Sequence, residues 1–261
     1  MEIIIFRGRV ITPKDTPLTF TTDLRADAIY EAGTPLDGLD AQFEFSIVNS
    51  LVEIRCHVNR ILDTDYPALL LSAFELARSS VDLMAFSTGH GMTLILDKAL
   101  YPDGRECDIY HNDPNLPPLC TAYRINEPDG SLDDVLLIVT QGRQVMLALN
   151  DLTSTMEVPM RIPANCFRAI EAIKQAISRA GRPPKFYGLL RDVLNISDAY
   201  VDPIMEESKG PRHGDYFRPP SVPLSEAEIR QRAWMVMDRF LEFRKRKNSP
   251  LTSPDFPLLE G

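Results

Sequence analysis

Apolar and polar residues alternate one by one through the first third of the chain, and apolar residues recur every three or four positions through most of the rest. In "QFEFSIV" the apolar positions are Phe43, Phe45 and Ile47, and in "VEIRCHV" they are Val52, Ile54, Cys56 and Val58. Period 2 on both sides of Asn49-Ser50 predicts a β-hairpin turning there. "EIIIFRGRV" near the start is apolar and β-branched, and reads as another strand. His57 falls on the face opposite Cys56, beside Glu53 and Arg55, so solvent contact is expected for it.

The period then changes. Asp65 is a candidate N-cap with Pro67 in the first turn, and Leu70, Phe74, Ala77, Val81 and Met84 follow at helical spacing. Glu75, Arg78 and Asp82 share the other face. "TGHG" closes this helix and "MTLIL" predicts a strand. Proline and glycine punctuate residues 101–130, where short strands are expected near 107–110 and 122–125.

From Ser131 onward the pattern is helical throughout. Ser131 with Asp134 resembles a helix start, and "DVLLIVTQGRQVMLALNDL" predicts one helix that runs through Gly142. Phe167, Ile170, Ile173 and Ile177 form one stripe, with Arg168, Glu171 and Gln175 opposite. Phe186, Leu189, Leu190, Val193 and Leu194 form a second. Ser197 is a candidate cap for a helix that carries Tyr200, Val201, Ile204 and Met205 inward, and Pro203 is expected to kink it or delay its start. Ser225-Glu226-Ala227-Glu228 has the spacing of a capping box, and Ile229, Ala233, Val236, Met237 and Phe240 lie on one side of the helix that follows. That helix ends in "FRKRKN", cations where the helix dipole favours them. The expected fold class is therefore α+β: a β-rich N-terminal part with one long helix (1–130), an all-α helical bundle (131–247) and an extended C-terminal tail (248–261).

Composition sharpens this picture in two ways. The chain has 261 residues, 44% apolar and 25% charged, which suits a globular protein. No apolar run approaches the ~18 residues that span a bilayer, and the start lacks a basic segment ahead of an apolar one, so no membrane contact, no secretory leader and a cytoplasmic location are expected. The four cysteines (Cys56, Cys107, Cys120 and Cys166) are too dispersed for a disulfide scaffold. The net charge of −9 is unevenly distributed. Residues 1–159 carry 11 Lys+Arg against 24 Asp+Glu, and residues 160–261 carry 17 against 13. The basic C-terminal part is thus expected to meet either an acidic partner or the acidic N-terminal part.

Candidate chemistry is sparse. "STGHG" places its glycines after a helix rather than before one, the order of a C-cap and not of a phosphate cradle. "ECDIYHND" contains Cys107, Asp108, His111 and Asp113, but not at zinc-site spacing, so no metal and no cofactor is expected. No Walker, Rossmann, nucleophile-elbow or zincin pattern occurs. The remaining candidate is Arg212-His213, in the turn of "EESKGPRHGDYFRPP". An imidazole can move a proton near neutral pH and a guanidinium can hold a phosphate oxyanion, which together suit metal-free phosphodiester cleavage. Lys209 and Tyr216 are near in sequence. The structural alternative is that Arg212 and His213 finish the preceding helix through its last carbonyls, or pair with Glu171.

The order "CFRAIEAIKQAI", "FYGLLRDVLNI", a helix ending "ESKGPRHG" and then a long basic helix resembles the HEPN-like helical domains of prokaryotic defence and toxin–antitoxin systems. The resemblance covers about residues 131–247. It implies a bundle of four or five helices and, in catalytic members, a metal-independent ribonuclease with an arginine four to six residues from a histidine at a dimer interface. His213 fits the histidine position. Glu206, Glu207 and Ser208 stand where the arginine would fall, and Arg212 adjoins the histidine instead, a departure that favours a non-catalytic member.

Two expectations follow. In the first, a HEPN-like domain contacts RNA or nucleotide, with His213 and Arg212 as the catalytic candidates. Lys209, Tyr216, Arg244, Lys245, Arg246 and Lys247 would line the path of the nucleic acid, with Arg168 and Glu171 in support. In the second, the chain is a non-enzymatic interaction or scaffold protein, with a protein partner or a second copy of itself, and Arg212-His213 is structural.

Overall fold

The computed structural model describes residues 2–13, 17–21, 26–27, 41–62, 65–109, 113, 115–120, 132–156, 161–178, 188–215, 221 and 224–261. The chain divides into two compact units, Met1–Tyr110 and His111–Gly261. The first is a sheet carrying one long helix and the second is helical, the expected α+β class.

Seven strands build the sheet of the first unit: β1 (Glu2–Ile11), β2 (Phe20–Thr21), β3 (Ala26–Asp27), β4 (Ala41–Val48), β5 (Leu51–Val58), β6 (Thr93–Leu100) and β7 (Glu106–Asp108). Their order is β2-β4-β5-β1-β6-β7, with β3 also on β4, and every pairing is antiparallel. The β4–β5 hairpin turns at Asn49 and Ser50, both with positive φ (52° and 65°), the backbone twist that a two-residue hairpin needs. Ile4, Phe6, Phe43, Ile47, Val52, Ile54, Cys56 and Leu96 point to one side and are sealed from water. Helix α1 (Tyr66–Thr88) packs against β1, β5 and β6 through Leu69, Ala73, Phe74, Ala77 and Val81.

Two details of this unit depart from expectation. Asp65 precedes α1 but does not cap it; its carboxylate accepts the Leu62 N–H at 3.1 Å instead. His57 is largely buried rather than solvated, with Nε2 3.4 Å from Glu44 Oε2 on the neighbouring strand. Glycine is required at position 8. The β1–β6 register shifts between Arg7 and Gly8, and a Cβ on Gly8 would stand 1.9 Å from the Ile95 carbonyl oxygen. At the end of α1, Gly89 (φ 68°) closes the helix by donating its N–H to the Ala85 carbonyl, the C-cap that "TGHG" predicts.

The second unit holds α2 (Leu132–Gln141), α3 (Arg143–Ser154), α4 (Ile162–Ser178), α5 (Gly188–Leu194), α6 (Asp198–Arg212) and α7 (Glu226–Lys245), with a 3-10 turn at Pro117–Leu119. The single helix expected through Gly142 is two helices. Gly142 adopts an extended conformation (φ −122°, ψ 97°) and becomes the N-cap of α3. Helix α4 is the axis of the bundle: α3, α6 and α7 all pack on it, and Ile162, Cys166, Ala169, Ile170 and Ile173 are buried there. Ser197 caps α6 as expected, but Pro203 sits inside that helix without delaying its start. The capping box of α7 is complete, with Ser225 and Glu228 bonding reciprocally.

The tail beyond α7 is fastened to the bundle. Leu251 is buried and donates its N–H to the Val193 carbonyl at 2.8 Å, while Leu259 exchanges backbone bonds with Asn195 and Ser197. Arg239, buried on α7, donates to the carbonyls of Leu194, Asn195 and Pro257 and so ties helix, interhelical turn and tail together. The expected short strand at 122–125 and the aromatic Phe186 lie outside the described residues.

Candidate functional site

The Arg212-His213 pair terminates α6. The His213 N–H reaches the Gly210 carbonyl at 2.9 Å, the Gly214 N–H reaches Pro211 at 3.2 Å and the Asp215 N–H returns to Gly210 at 3.0 Å. Gly214 takes a positive φ of 85°. The last carbonyls of the helix are thus answered by the turn itself.

The two side chains have different fates. Arg212 folds back along α6: its Nε donates to the Ser208 carbonyl at 3.2 Å, and its guanidinium lies 4.2 Å from the centre of the Phe167 ring on α4. A guanidinium placed over an aromatic face is held by the ring quadrupole and shields that face from water. His213 is exposed. The adjacent arginine therefore works as a bracket between α6 and α4, while the imidazole sits at the surface of the turn.

The supporting residues are engaged separately. Arg168 binds Asp151 of α3, whose carboxylate is buried, through Nε and Nη2. Glu171 receives Lys174 at 2.9 Å, and Lys174 is only 2% exposed. Neither Arg168 nor Glu171 is brought to the Arg212 guanidinium by these contacts.

The expected nucleic-acid contacts are similarly occupied. Lys209 pairs with Glu206 at 2.5 Å. Lys245 and Arg246 both pair with Glu242, at 3.8 and 2.7 Å, and Arg246 also covers the Phe256 ring of the tail at 4.6 Å. Arg244 is half-buried at the end of α7 and Lys247 is exposed just beyond it, with a positive φ of 55°. Tyr216 lies outside the described residues. The basic end of α7 is thus stitched to Glu242 and to the tail more than it is presented to solvent. Among the described residues no group of three or more His, Cys, Asp or Glu side chains is placed to hold a metal ion, and no helix is long and apolar enough to cross a membrane.

Sequence reasoning missed the residues that give this region its form. Phe167 was read only as core, yet its ring is the platform for Arg212. Asp151 and Lys174 are charged groups inside the bundle, recognisable only by the ion pairs that satisfy them. Helix α2 also presents a surface that its "VLLIV" run had assigned to the core: Leu136 and Leu137 are 54% and 55% exposed.

Residues 4–110 match the family model of the N-terminal domain of DUF8168, a domain of unknown function, and residues 132–245 match the model of its C-terminal domain. The chain carries both DUF8168 domains. The boundaries of the DUF8168 N-terminal match follow the first compact unit, ending at Tyr110, and the C-terminal match runs from the start of α2 to the end of α7. The tail that clasps the bundle lies beyond the second match. No curated protein and no solved structure matches the chain.

Proposed function

We propose that this DUF8168 protein is a non-enzymatic protein-interaction module in which Arg212-His213 is structural. One observation carries the reading: the Arg212 guanidinium is committed to the Phe167 ring and the Ser208 carbonyl. An arginine so used has its planar face covered and one donor spent, and releasing it toward a phosphate would uncover Phe167. The ion pairs at Lys209, Lys245 and Arg246 support the same reading, because each cation already has a carboxylate neighbour. The outward apolar side chains of α2 and α3 supply a surface of the type that protein partners use.

A second reading, RNA contact by a HEPN-like bundle, is favoured by the exposure of His213 and Lys247 on the described surface. Titration of a fluorescent single-stranded RNA at rising salt separates the two. The interaction module gives weak binding with equal affinity in wild type, His213→Ala and Lys247→Ala. Affinity that falls steeply with salt and drops in these variants would replace it with the RNA reading. RNA fragments ending in cyclic phosphate, formed by wild type and not by His213→Ala, would add catalysis.

A further inference from the structure

Helix α2 is unusual in how little of its apolar character it hides. Among its described side chains Val135 is the buried one; Ile138 and Val139 touch the core at their edges, and Leu136 and Leu137 turn outward. The start of α3, reached through the single residue Gly142, adds Met146 and Leu147, 51% and 49% exposed. Four large apolar side chains, each about half exposed on two consecutive helices, exceed the scattered single exposures normal on a protein surface.

Charge restricts the occupant of this surface. Asp133 and Asp134 stand in the first turn of α2, and Arg143 follows its last turn, so acid and base lie at opposite ends of the apolar stretch. The ten residues of α2 rise ~15 Å, which sets the separation of the two ends. An anionic lipid surface would meet the acidic end, and a nucleic acid would find one cation. A second α2 laid antiparallel against the first places each acidic turn beside the other copy's Arg143, with leucine against leucine between them. A twofold axis produces that arrangement, since an isologous contact pairs one end of a patch with the other.

We propose that the outward face of α2 and the start of α3 is where two copies of this chain pair about a twofold axis. This rests on the interaction-module reading and names its partner. The contact also avoids the repulsion that a net charge of −9 imposes on approach through other surfaces.

The test is the mass of the full-length chain by analytical ultracentrifugation from 1 to 100 µM, beside Leu137→Glu, Arg143→Glu and the double variant Arg143→Glu/Asp134→Arg. The expected result is a dimer in wild type, a monomer in Leu137→Glu, at least a tenfold weaker dimer in Arg143→Glu and recovery in the double variant. Circular dichroism confirms that Leu137→Glu keeps its helices, and because Leu137 is outward the fold is expected to hold. A wild-type monomer across the range, or a dimer unaffected by Leu137→Glu, overturns the pairing. An Arg143→Glu variant that loses dimer without recovery in the double variant overturns the antiparallel arrangement. The RNA titration is read independently: RNA affinity that depends on His213 or Lys247 removes the interaction-module reading whatever the mass, and a monomer without such affinity removes only the self-pairing.

Discussion

Nη2 of Arg239 donates to the Pro257 carbonyl across 2.6 Å, eighteen residues further along the chain, while Nη1 holds the Leu194 and Asn195 carbonyls at 3.0 and 2.9 Å. A buried guanidinium whose partners are all backbone oxygens is balanced by dipoles and not by a carboxylate, and burial accordingly lowers its pKa below the usual arginine value. Asn195, itself in the left-handed region (φ 55°), adds a bond from Nδ2 to the Phe256 carbonyl. These contacts fasten the tail.

Arg239→Met keeps most of the side-chain volume and leaves three carbonyls without their donor. The expected loss is about 3 kcal/mol in urea unfolding, since each buried acceptor left unpaired costs ~1–3 kcal/mol and some regain water. Limited proteolysis should then cut near residues 251–258, a stretch protected in wild type.

Arg212→Ala uncovers the Phe167 ring and removes one hydrogen bond to Ser208. A loss of about 1 kcal/mol is expected from the cation–π contact and packing together. Arg212→Lys should recover less than half of it, because an ammonium lacks the planar face. Thermal melts of the three proteins provide the comparison, and His213→Ala, at an exposed position, should melt within a degree or two of wild type.

Gly8→Ala forces a methyl group into the Ile95 carbonyl. The bulged strand must move, at an expected cost of ~2–3 kcal/mol. Denaturant unfolding should show the loss. The flanking Arg7→Lys substitution, at an exposed site, should be close to neutral.

The capping box gives the pH prediction. Backbone and side-chain hydrogen bonds from Ser225 hold the Glu228 carboxyl below the ordinary carboxylate value of 4.5. A depressed folded-state pKa means that this stabilisation is complete above pH 4.5 and fades as pH falls through the lower folded value. Ser225→Ala should therefore cost about 1 kcal/mol near neutrality, and the gap between the two proteins should narrow below pH 4.5. Urea melts at pH 7, 5, 4 and 3 follow the trend.

What could be read from the chain beforehand has a physical pattern. The β4–β5 hairpin and the Ser225 cap were legible because strand alternation and capping chemistry are local, written into residues within four positions of one another. Gly142 was passed over because strong apolar periodicity on both sides outweighed one glycine, and the break depends on its extended backbone. The roles of Arg212 and Arg239 were hidden for another reason. One partner is an aromatic ring 45 positions away and the others are carbonyl oxygens, which no side-chain pattern encodes. His57 followed its expected strand face, yet position on a face does not fix how deeply a side chain is covered by its neighbours.

Cys56 lies wholly inside the sheet unit and Cys166 wholly inside the helical unit, and burial pushes both thiols up to about 12. Neither forms an appreciable thiolate near neutrality while its surroundings stay closed. An alkylating reagent will thus modify Cys107 and Cys120 early, and then wait on excursions that expose the two sealed sulfurs. The chain carries a chemical stopwatch in each half, and mass spectrometry of the labelled peptides can time the opening of one half without reference to the other.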